Sequence, residues 1–389
     1  MIGNIFIWLT PILLVVKGEF SMKKISMFTL IAIIVLVGMM AACAKPAAQA
    51  PAAEAPAAEK PAAEAPAAST GGDGGPRGPG EYNYHLGLVQ PGPEFYYQSF
   101  ADSISLAAEF AGMKVTALLS EYSNEKEVAN IEDLISQGVD AITVFSLASE
   151  TAQINAQLCE EAGIPLFLTN SSLGEGPADV ITEVGNSFWD MGAENGYWIK
   201  DNLDLLPDKM KVLEIQGQLG QGIAEGISQG IADITADLGD KYTVVHKQTA
   251  NWIRSEAIAI TEDSLMANLD FNMIFVHNED MGAGVVSVLK ENGVLNNGVV
   301  VIAQNGSDPG IEMIRAGEML ATCANPPSFV GGDVVVQILR YFDGAEVPRV
   351  YFSPVFMIDA TNVNDPNLVT WDKKWAITRV EAYFDGTFE

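Results

Sequence analysis

Beyond residue 80 the chain alternates between short apolar runs and stretches in which apolar residues recur at helical spacing. The runs are His85–Gln90, Lys114–Ser120, Ala141–Ser146, Leu166–Asn170, Lys211–Gly217, Tyr242–Ala250, Met273–Asn278, Val299–Asn305 and Leu320–Asn325. Most are continuously apolar rather than alternating, as strands of a parallel sheet covered on both faces must be. Between them the spacing changes. Val128, Ile131, Leu134 and Ile135 fall on one side of a helix, and Gly138 stands where a C-terminal glycine cap belongs. Regular βαβ alternation predicts α/β architecture with doubly wound parallel sheets. Nine strands fit two lobes more naturally than one sheet.

The first eighty residues read differently. Met22-Lys23-Lys24 opens a segment that is apolar from Ile25 to Met40 and closes as Met40-Ala41-Ala42-Cys43. A basic start, an apolar core and small residues before the break form a secretory signal. The run approaches the roughly 20 apolar residues of a transmembrane helix, but the residues after it favour the signal. A cysteine at that break resembles the bacterial lipobox, with Met40 where leucine is usual; the resemblance implies a lipid on Cys43 and attachment to the cell membrane. Next come Pro51-Ala52-Ala53-Glu54, Pro56-Ala57-Ala58-Glu59 and Pro61-Ala62-Ala63-Glu64, then a glycine-rich stretch from Ser69 to Gly80. Proline in each unit blocks continuous helix, and too few apolar groups are present to offset the entropy of ordering. Residues 44–80 therefore read as a disordered Pro/Ala/Gly tether, reaching up to about 100 Å if extended. A second apolar run, Ile5 to Val16, precedes the signal, and Lys17-Gly18-Glu19-Phe20 is compatible with a ribosome-binding purine tract. We therefore expect translation to start at Met22; an N-terminal peptide beginning at Met1 would rule this out.

Charge and cysteine content narrow the class. With 21 Lys and Arg against 50 Asp and Glu, the net charge of −29 disfavours nucleic acid and anionic lipid as partners. Apart from Cys43, only Cys159 and Cys323 are present, one in an expected helix and the other in an expected strand. Two buried thiols fit this placement better than a disulfide.

Doubly wound sheets bind ligands beyond the carboxyl ends of their strands. Those positions here hold Gln90, Asn170, Gln216, Asn278, Asn305 and Asn325. Asparagine is also a common loop residue, but a ring of side-chain amides facing one cleft would both donate and accept. Each hydroxyl of a neutral polyhydroxy compound does the same.

Three ordered segments carry a family resemblance: Gly138-Val139-Asp140-Ala141-Ile142, Ala162-Gly163-Ile164-Pro165, and Asn278-Glu279-Asp280-Met281-Gly282-Ala283. From His85 to about Ala360 the chain resembles the type I periplasmic sugar-binding proteins of the ribose-binding group, solute receptors of ABC importers. Repressors of the lactose-repressor type share these lobes, but carry a helix-turn-helix where this chain has its tether. The resemblance implies two α/β lobes joined by a three-strand hinge. One lobe is expected at 81–187 plus 326–353 and the other at 188–325 plus 354–389. It also implies that Tyr96 and Tyr97 lie against one face of a sugar ring and Trp252 against the other. Sugar C–H faces are apolar, so such stacking removes area from water at about 25 cal/mol per Å².

Two departures from the ribose pattern alter the expected chemistry. Asn170-Ser171 replaces an Asp-Arg pair, and Glu225 replaces a second arginine. The pocket loses guanidinium donors and gains a carboxylate, with Glu94 as a further one. Ribose itself is therefore disfavoured, since hydrogen bonds to charged groups contribute roughly 1.5–3 kcal/mol each. Glu225 would accept from ligand hydroxyls or pair with a ligand amine beside the aromatic rings, or else face solvent. The intact amide ring favours a neutral monosaccharide or polyol over an amino-bearing ligand.

Other signals do not develop into sites. Gly220, Gly222 and Gly226 follow a strand but lack dinucleotide-binding spacing. His85, His246 and His277 are scattered, and Asp359 to Asn367 lacks the glycine and final Glu of a calcium loop. No metal or cofactor is expected. Glu94 and Glu225 could serve as a glycosidase pair only if about 5–5.5 Å apart. The expected protein is a monomeric, non-enzymatic receptor that closes on its ligand and presents it to a membrane permease; a sensory role would use the same pocket.

Overall fold

The computed structural model describes residues 77–170, 179–220 and 222–388. The proposed signal, the alternative start, Cys43 and the expected tether up to residue 76 lie outside them. The last four residues of the expected tether do not read as disordered: Arg77 Nε pairs with Asp343 at 3.1 Å, its guanidinium lies over the Tyr82 ring, and the Gly80 amide donates to the Phe110 carbonyl at 3.1 Å. Twelve strands form two six-stranded sheets. The first holds β1 (His85–Gln90), β2 (Lys114–Leu119), β3 (Ala141–Val144), β4 (Leu166–Thr169), β5 (Thr182–Gly185) and β11 (Val350–Phe352), in the order β11-β5-β4-β3-β1-β2. The second holds β6 (Met210–Gln216), β7 (Tyr242–Thr249), β8 (Met273–Val276), β9 (Val300–Asn305), β10 (Ala321–Ala324) and β12 (Phe356–Asp359), in the order β12-β10-β9-β8-β6-β7. All pairings are parallel except β10 with β12.

Each apolar run feeds two cores, because successive side chains on a strand point to opposite faces. Leu86 and Leu88 pack with Phe100 and Ile104 of α1 (Phe95–Ala111) and with Val330, Val334 and Ile338 of α9 (Pro327–Phe342). On the other face Val89, Ile142 and Val144 meet Ile131 and Leu134 of α2 (Asn124–Ser136) and Ala152 and Ala156 of α3 (Ser149–Ala162). The second sheet repeats the arrangement. Leu213, Ile215, Ile274 and Val276 face α6 (Arg254–Met266), α7 (Glu279–Glu291) and α8 (Asp308–Arg315). Val212, Met273 and Phe275 face α4 (Phe188–Asp201) and α5 (Ile223–Thr235).

Local signals set the helix ends. Ser123 Oγ accepts the Lys126 amide at 3.2 Å, Glu125 and Glu127 occupy the first turn of α2, and Gly138 follows its end at φ 68°. Cys159 and Cys323 are both buried and free, as their places in α3 and β10 suggested.

Three connections cross between lobes: β5 to α4, β10 to α9, and β11 to β12. Asn186 Nδ2 on the first donates to the Ser353 carbonyl on the third at 3.2 Å. A fourth passage departs from expectation. The resemblance places all of 354–389 in the second lobe, but α10 (Lys374–Phe384) packs in the first. Ala376 and Val380 are wholly buried there, one helical turn apart. Arg379 Nε pairs with the buried Asp333 at 2.5 Å, and Tyr383 donates to Asp343 at 2.9 Å. The helix thus docks through an apolar face, and it also supplies the cation for the buried Asp333, whose carboxylate additionally accepts from Ser353 Oγ at 2.6 Å.

Strands β5, β11 and β12 are not announced by the apolar pattern either. In β5 the buried Glu183 interrupts any apolar run; its carboxylate pairs with Arg349, just before β11, at 2.6 Å. Among the described residues no helix is long and apolar enough to cross a membrane.

Candidate functional site

The first lobe contributes residues from the carboxyl ends of β1 and β4 and the start of α1. Gln90 ends β1 nearly buried, and its Oε1 has no hydrogen-bond partner among the described residues. Asn170 follows β4 at φ 45°, a left-handed conformation that asparagine tolerates. Its Oδ1 accepts the Asn186 amide at 3.1 Å, and its Nδ2 donates to the Tyr96 hydroxyl at 3.3 Å. Tyr96 and Tyr97 stand at 87° to each other with ring centroids 5.9 Å apart. Adjacent residues point to different faces of α1, and Tyr97 sets its edge on Phe145, centroids 5.2 Å apart. Burial raises the phenol pKa of both, that of Tyr97 to about 12, so both hydroxyls remain protonated. Glu94, just before α1, is exposed and accepts a hydrogen bond from Tyr122. Ser171 lies outside the described residues.

In the second lobe Trp252 is half-buried at φ 66°. Its ring occupies the space left by Gly217, where a Cβ would stand 2.1 Å from the indole. Asn278 caps α7, its Oδ1 accepting the Met281 amide at 2.7 Å. Asn305 ends β9 at φ 113°, and its carbonyl accepts from the Asn325 amide at 3.2 Å and from Trp371 Nε1 at 3.1 Å. Asn325 is nearly buried, and its Oδ1 has no partner among the described residues. Amide groups thus stand at the carboxyl ends of β1, β4, β8, β9 and β10, with the Tyr96 hydroxyl bonded to Asn170 and Trp371 Nε1 to the Asn305 carbonyl.

Two expectations change. Gln216, counted in the ring, turns inward: its Nε2 donates to Ser228 Oγ at 2.7 Å. Glu225 is not a buried carboxylate. It is exposed in the first turn of α5 and accepts the Gly220 amide at 2.6 Å. A carboxylate there is favoured by the helix dipole and satisfied by its own loop, so it requires no ligand donor.

Two buried clusters were not legible in the sequence. Glu214 accepts from Ser228 Oγ, from Lys247 Nζ at 2.9 Å and from His277 Nε2 at 3.2 Å. Burial would raise its pKa, but these donors outweigh burial and hold it below the ordinary value. Burial depresses the His277 pKa, leaving a neutral imidazole whose centroid is 6.4 Å from that of Trp252. In the second cluster Glu279 accepts from the Gly306 amide at 2.6 Å, the Ser307 amide at 3.2 Å, Ser307 Oγ at 2.7 Å and Thr322 Oγ1 at 2.6 Å. It fastens the turn after Asn305 to α7, and complete burial lifts its pKa to about 7. Glu279 follows a predicted strand-end asparagine, the one sequence signal that could have singled it out. Trp371 was also missed, because it lies beyond the span of the family resemblance.

Known proteins share the same outline. A family model described as periplasmic binding protein domain matches residues 88–346. The ribose import binding protein of Haemophilus influenzae is 26% identical over 253 residues, which cover 65% of this chain and 83% of that protein. A xylitol-binding protein of Mycolicibacterium smegmatis is 27% identical over 258 residues, covering 66% and 72%. Among solved structures, an ABC transporter periplasmic solute binding protein from Actinobacillus succinogenes with bound D-allose superposes with a TM-score of 0.65 at 22% identity, covering 73% of this chain and all of that one. Two parallel-sheet lobes, strand-end amides and a family match over most of the folded body agree: the chain belongs to the periplasmic binding protein family.

Proposed function

We propose that this protein is an extracytoplasmic receptor that captures a monosaccharide or polyol between its lobes and delivers it to an ABC permease. The observation that carries the reading is that, of several buried amide oxygens without partners among the described residues, two belong to the expected strand-end ring, Gln90 Oε1 in one lobe and Asn325 Oδ1 in the other. Buried acceptors require donors, and ligand hydroxyls between the lobes would supply them. Gln90, Tyr96, Tyr97 and Asn170 form one wall in this reading, and Trp252, Asn278, Asn305 and Asn325 form the other; the sequence-based expectation for Ser171 lies outside the described residues. The relatives named for ribose and xylitol and the structure holding D-allose support a neutral polyhydroxy ligand over an amino-bearing one. Glu94 and Glu225, both exposed and both bonded within the protein, are peripheral to it. Binding needs no chemistry on the ligand. Contacts from the second lobe favour the closed form once the first has captured the ligand.

The same proposal places a lipid on Cys43, removes the signal before it and leaves the body monomeric on its tether, with the lobes divided near 187, 325 and 353. Mass spectrometry of the membrane-bound protein tests the anchor: a diacylglyceryl-modified N-terminal Cys43 supports it, and an unmodified mature N-terminus elsewhere refutes it.

A thermal-shift panel of D-ribose, D-allose, D-arabinose, xylitol, myo-inositol, glycerol and amino sugars tests the ligand class. A ligand at 100 times its dissociation constant adds about 2.7 kcal/mol, a shift of several degrees. Shifts confined to amino sugars would refute the neutral class.

A further inference from the structure

The segment between β12 and α10 brings a fourth passage across the lobes, and one side chain in it touches both. Trp371 is only 7% exposed. Its ring stacks on Phe95 of the first lobe, with centroids 5.4 Å apart and planes 16° from parallel. It also meets Tyr96 edge-on, at 5.5 Å and 78°. Its Nε1–H donates to the Asn305 carbonyl of the second lobe at 3.1 Å. The flanks are anchored too: Ser328 Oγ donates to the Thr370 carbonyl at 2.8 Å, and Lys373 pairs with Asp102 at 2.6 Å.

We propose that Trp371 is a positioning residue of the ligand site, holding Tyr96 of one lobe and Asn305 of the other and so latching the lobes together. The inference rests on the reading of these residues as ligand-facing. Asn305 has a backbone conformation rare for a residue with a side chain, and such conformations persist only where surrounding contacts impose them. Its carbonyl is held from both sides, by the Asn325 amide and the Trp371 indole. That grip fixes where the Asn305 amide group points. On the opposite lobe, the indole face supports Phe95, which is 64% exposed and has little else over it, while the ring edge limits the swing of Tyr96. A movement that parts the lobes at this seam must therefore separate Trp371 either from its aromatic partners or from Asn305. The segment acts as a strap favouring the lobe arrangement in which these contacts are made.

Two variants separate the interactions. Trp371→Phe keeps a ring against Phe95 and Tyr96 but loses the indole N–H, whereas Trp371→Ala loses both. The first readout needs no ligand: interlobe distances in the full chain by pulsed electron paramagnetic resonance. Spin labels at exposed Glu132→Cys and Glu291→Cys report on the two lobes in a Cys43→Ala background, where Cys159 and Cys323 are buried. The second is the dissociation rate of whichever panel sugar binds. Both variants should lengthen and broaden the ligand-free distances. Trp371→Phe should release the sugar about tenfold faster, the scale of one lost hydrogen bond, while its melting temperature stays near that of the parent. A purely structural tryptophan would lower the melting temperature and leave the distances unchanged; that result, with an unaltered release rate, overturns the proposal. Should Trp371→Ala not fold, Trp371→Phe alone decides. If no panel sugar binds, the proposed function fails while the distance readout still judges the latch.

Discussion

Glu279 gives the fold an unusual dependence on pH. Four donors converge on its carboxylate, yet the group is wholly buried, and burial prevails: its pKa rises from 4.5 to about 7. Between those values the folded state binds more protons than the unfolded chain. Stability from this site is therefore fully present below about pH 4.5 and is lost as pH rises through about 7. A shift of that size corresponds to about 3 kcal/mol across the window. When protonated, Glu279 can donate to Ser307 Oγ or Thr322 Oγ1, since either hydroxyl can reverse its role. The backbone amides of Gly306 and Ser307 cannot. Glu279→Gln removes the titration. It also costs some stability at every pH, because its amide must face one of the two N–H groups. The assay is urea unfolding of parent and variant from pH 4.5 to 8, followed by circular dichroism. The gap between the two curves should shrink by about 3 kcal/mol as pH rises, because only the parent loses the contribution. Taking the difference cancels Asp333, lifted by burial to about 6, and His277, which acts in the opposite direction. Parallel curves would refute the assignment.

Other perturbations probe the site and its supports. Gly217→Ala places a methyl 2.1 Å from the Trp252 ring; overpacking should cost about 1–3 kcal/mol in melting experiments and weaken ligand binding by displacing the indole. A variant that binds as tightly as the parent would remove Trp252 from the site. Asn278→Ala loses the α7 cap, with an expected cost of about 0.5–2 kcal/mol. It should also reduce affinity by about tenfold or more, so a stability loss with unchanged calorimetric affinity would confine Asn278 to capping. Arg379→Ala leaves Asp333 buried without its cation, which should cost about 3–5 kcal/mol and speed hydrogen exchange in α10. Unchanged exchange there would mean that the helix docks by its apolar face alone.

Most of the nine strand-like runs were legible because burial on both faces leaves little room for polar residues, whatever the distant partners; the edge strands β2 and β7, partly or largely exposed, were legible from their β-branched content instead. The helix spacings and the glycine after α2 were legible for the same reason, since they answer to local geometry. The strand-end asparagines could be named in advance because a doubly wound sheet directs its carboxyl ends toward one region. Their individual roles could not. Asn278 spends its Oδ1 on the α7 cap, Gln216 turns to Ser228, and Glu225 closes on its own loop. Strand β5 stayed hidden because Glu183 is neutralised by Arg349, and no local pattern announces a partner so far along the chain. The return of α10 to the first lobe likewise brings together residues far apart in the chain, Arg379 with Asp333 and Ala376 and Val380 with the first core.

The order of apolar and polar residues thus determined the sheets, the helices on their faces and the polar residues at the strand ends. Those features follow from burial and backbone periodicity, which each stretch of sequence carries within itself. Only the tertiary structure decided which amides remain unpaired, which carboxylates are spent on the protein's own donors, and that Trp371 stands between the lobes. Such outcomes depend on hydrogen bonds and ring contacts a few ångströms long between residues distant in the chain, and their geometry exists only after the chain has folded.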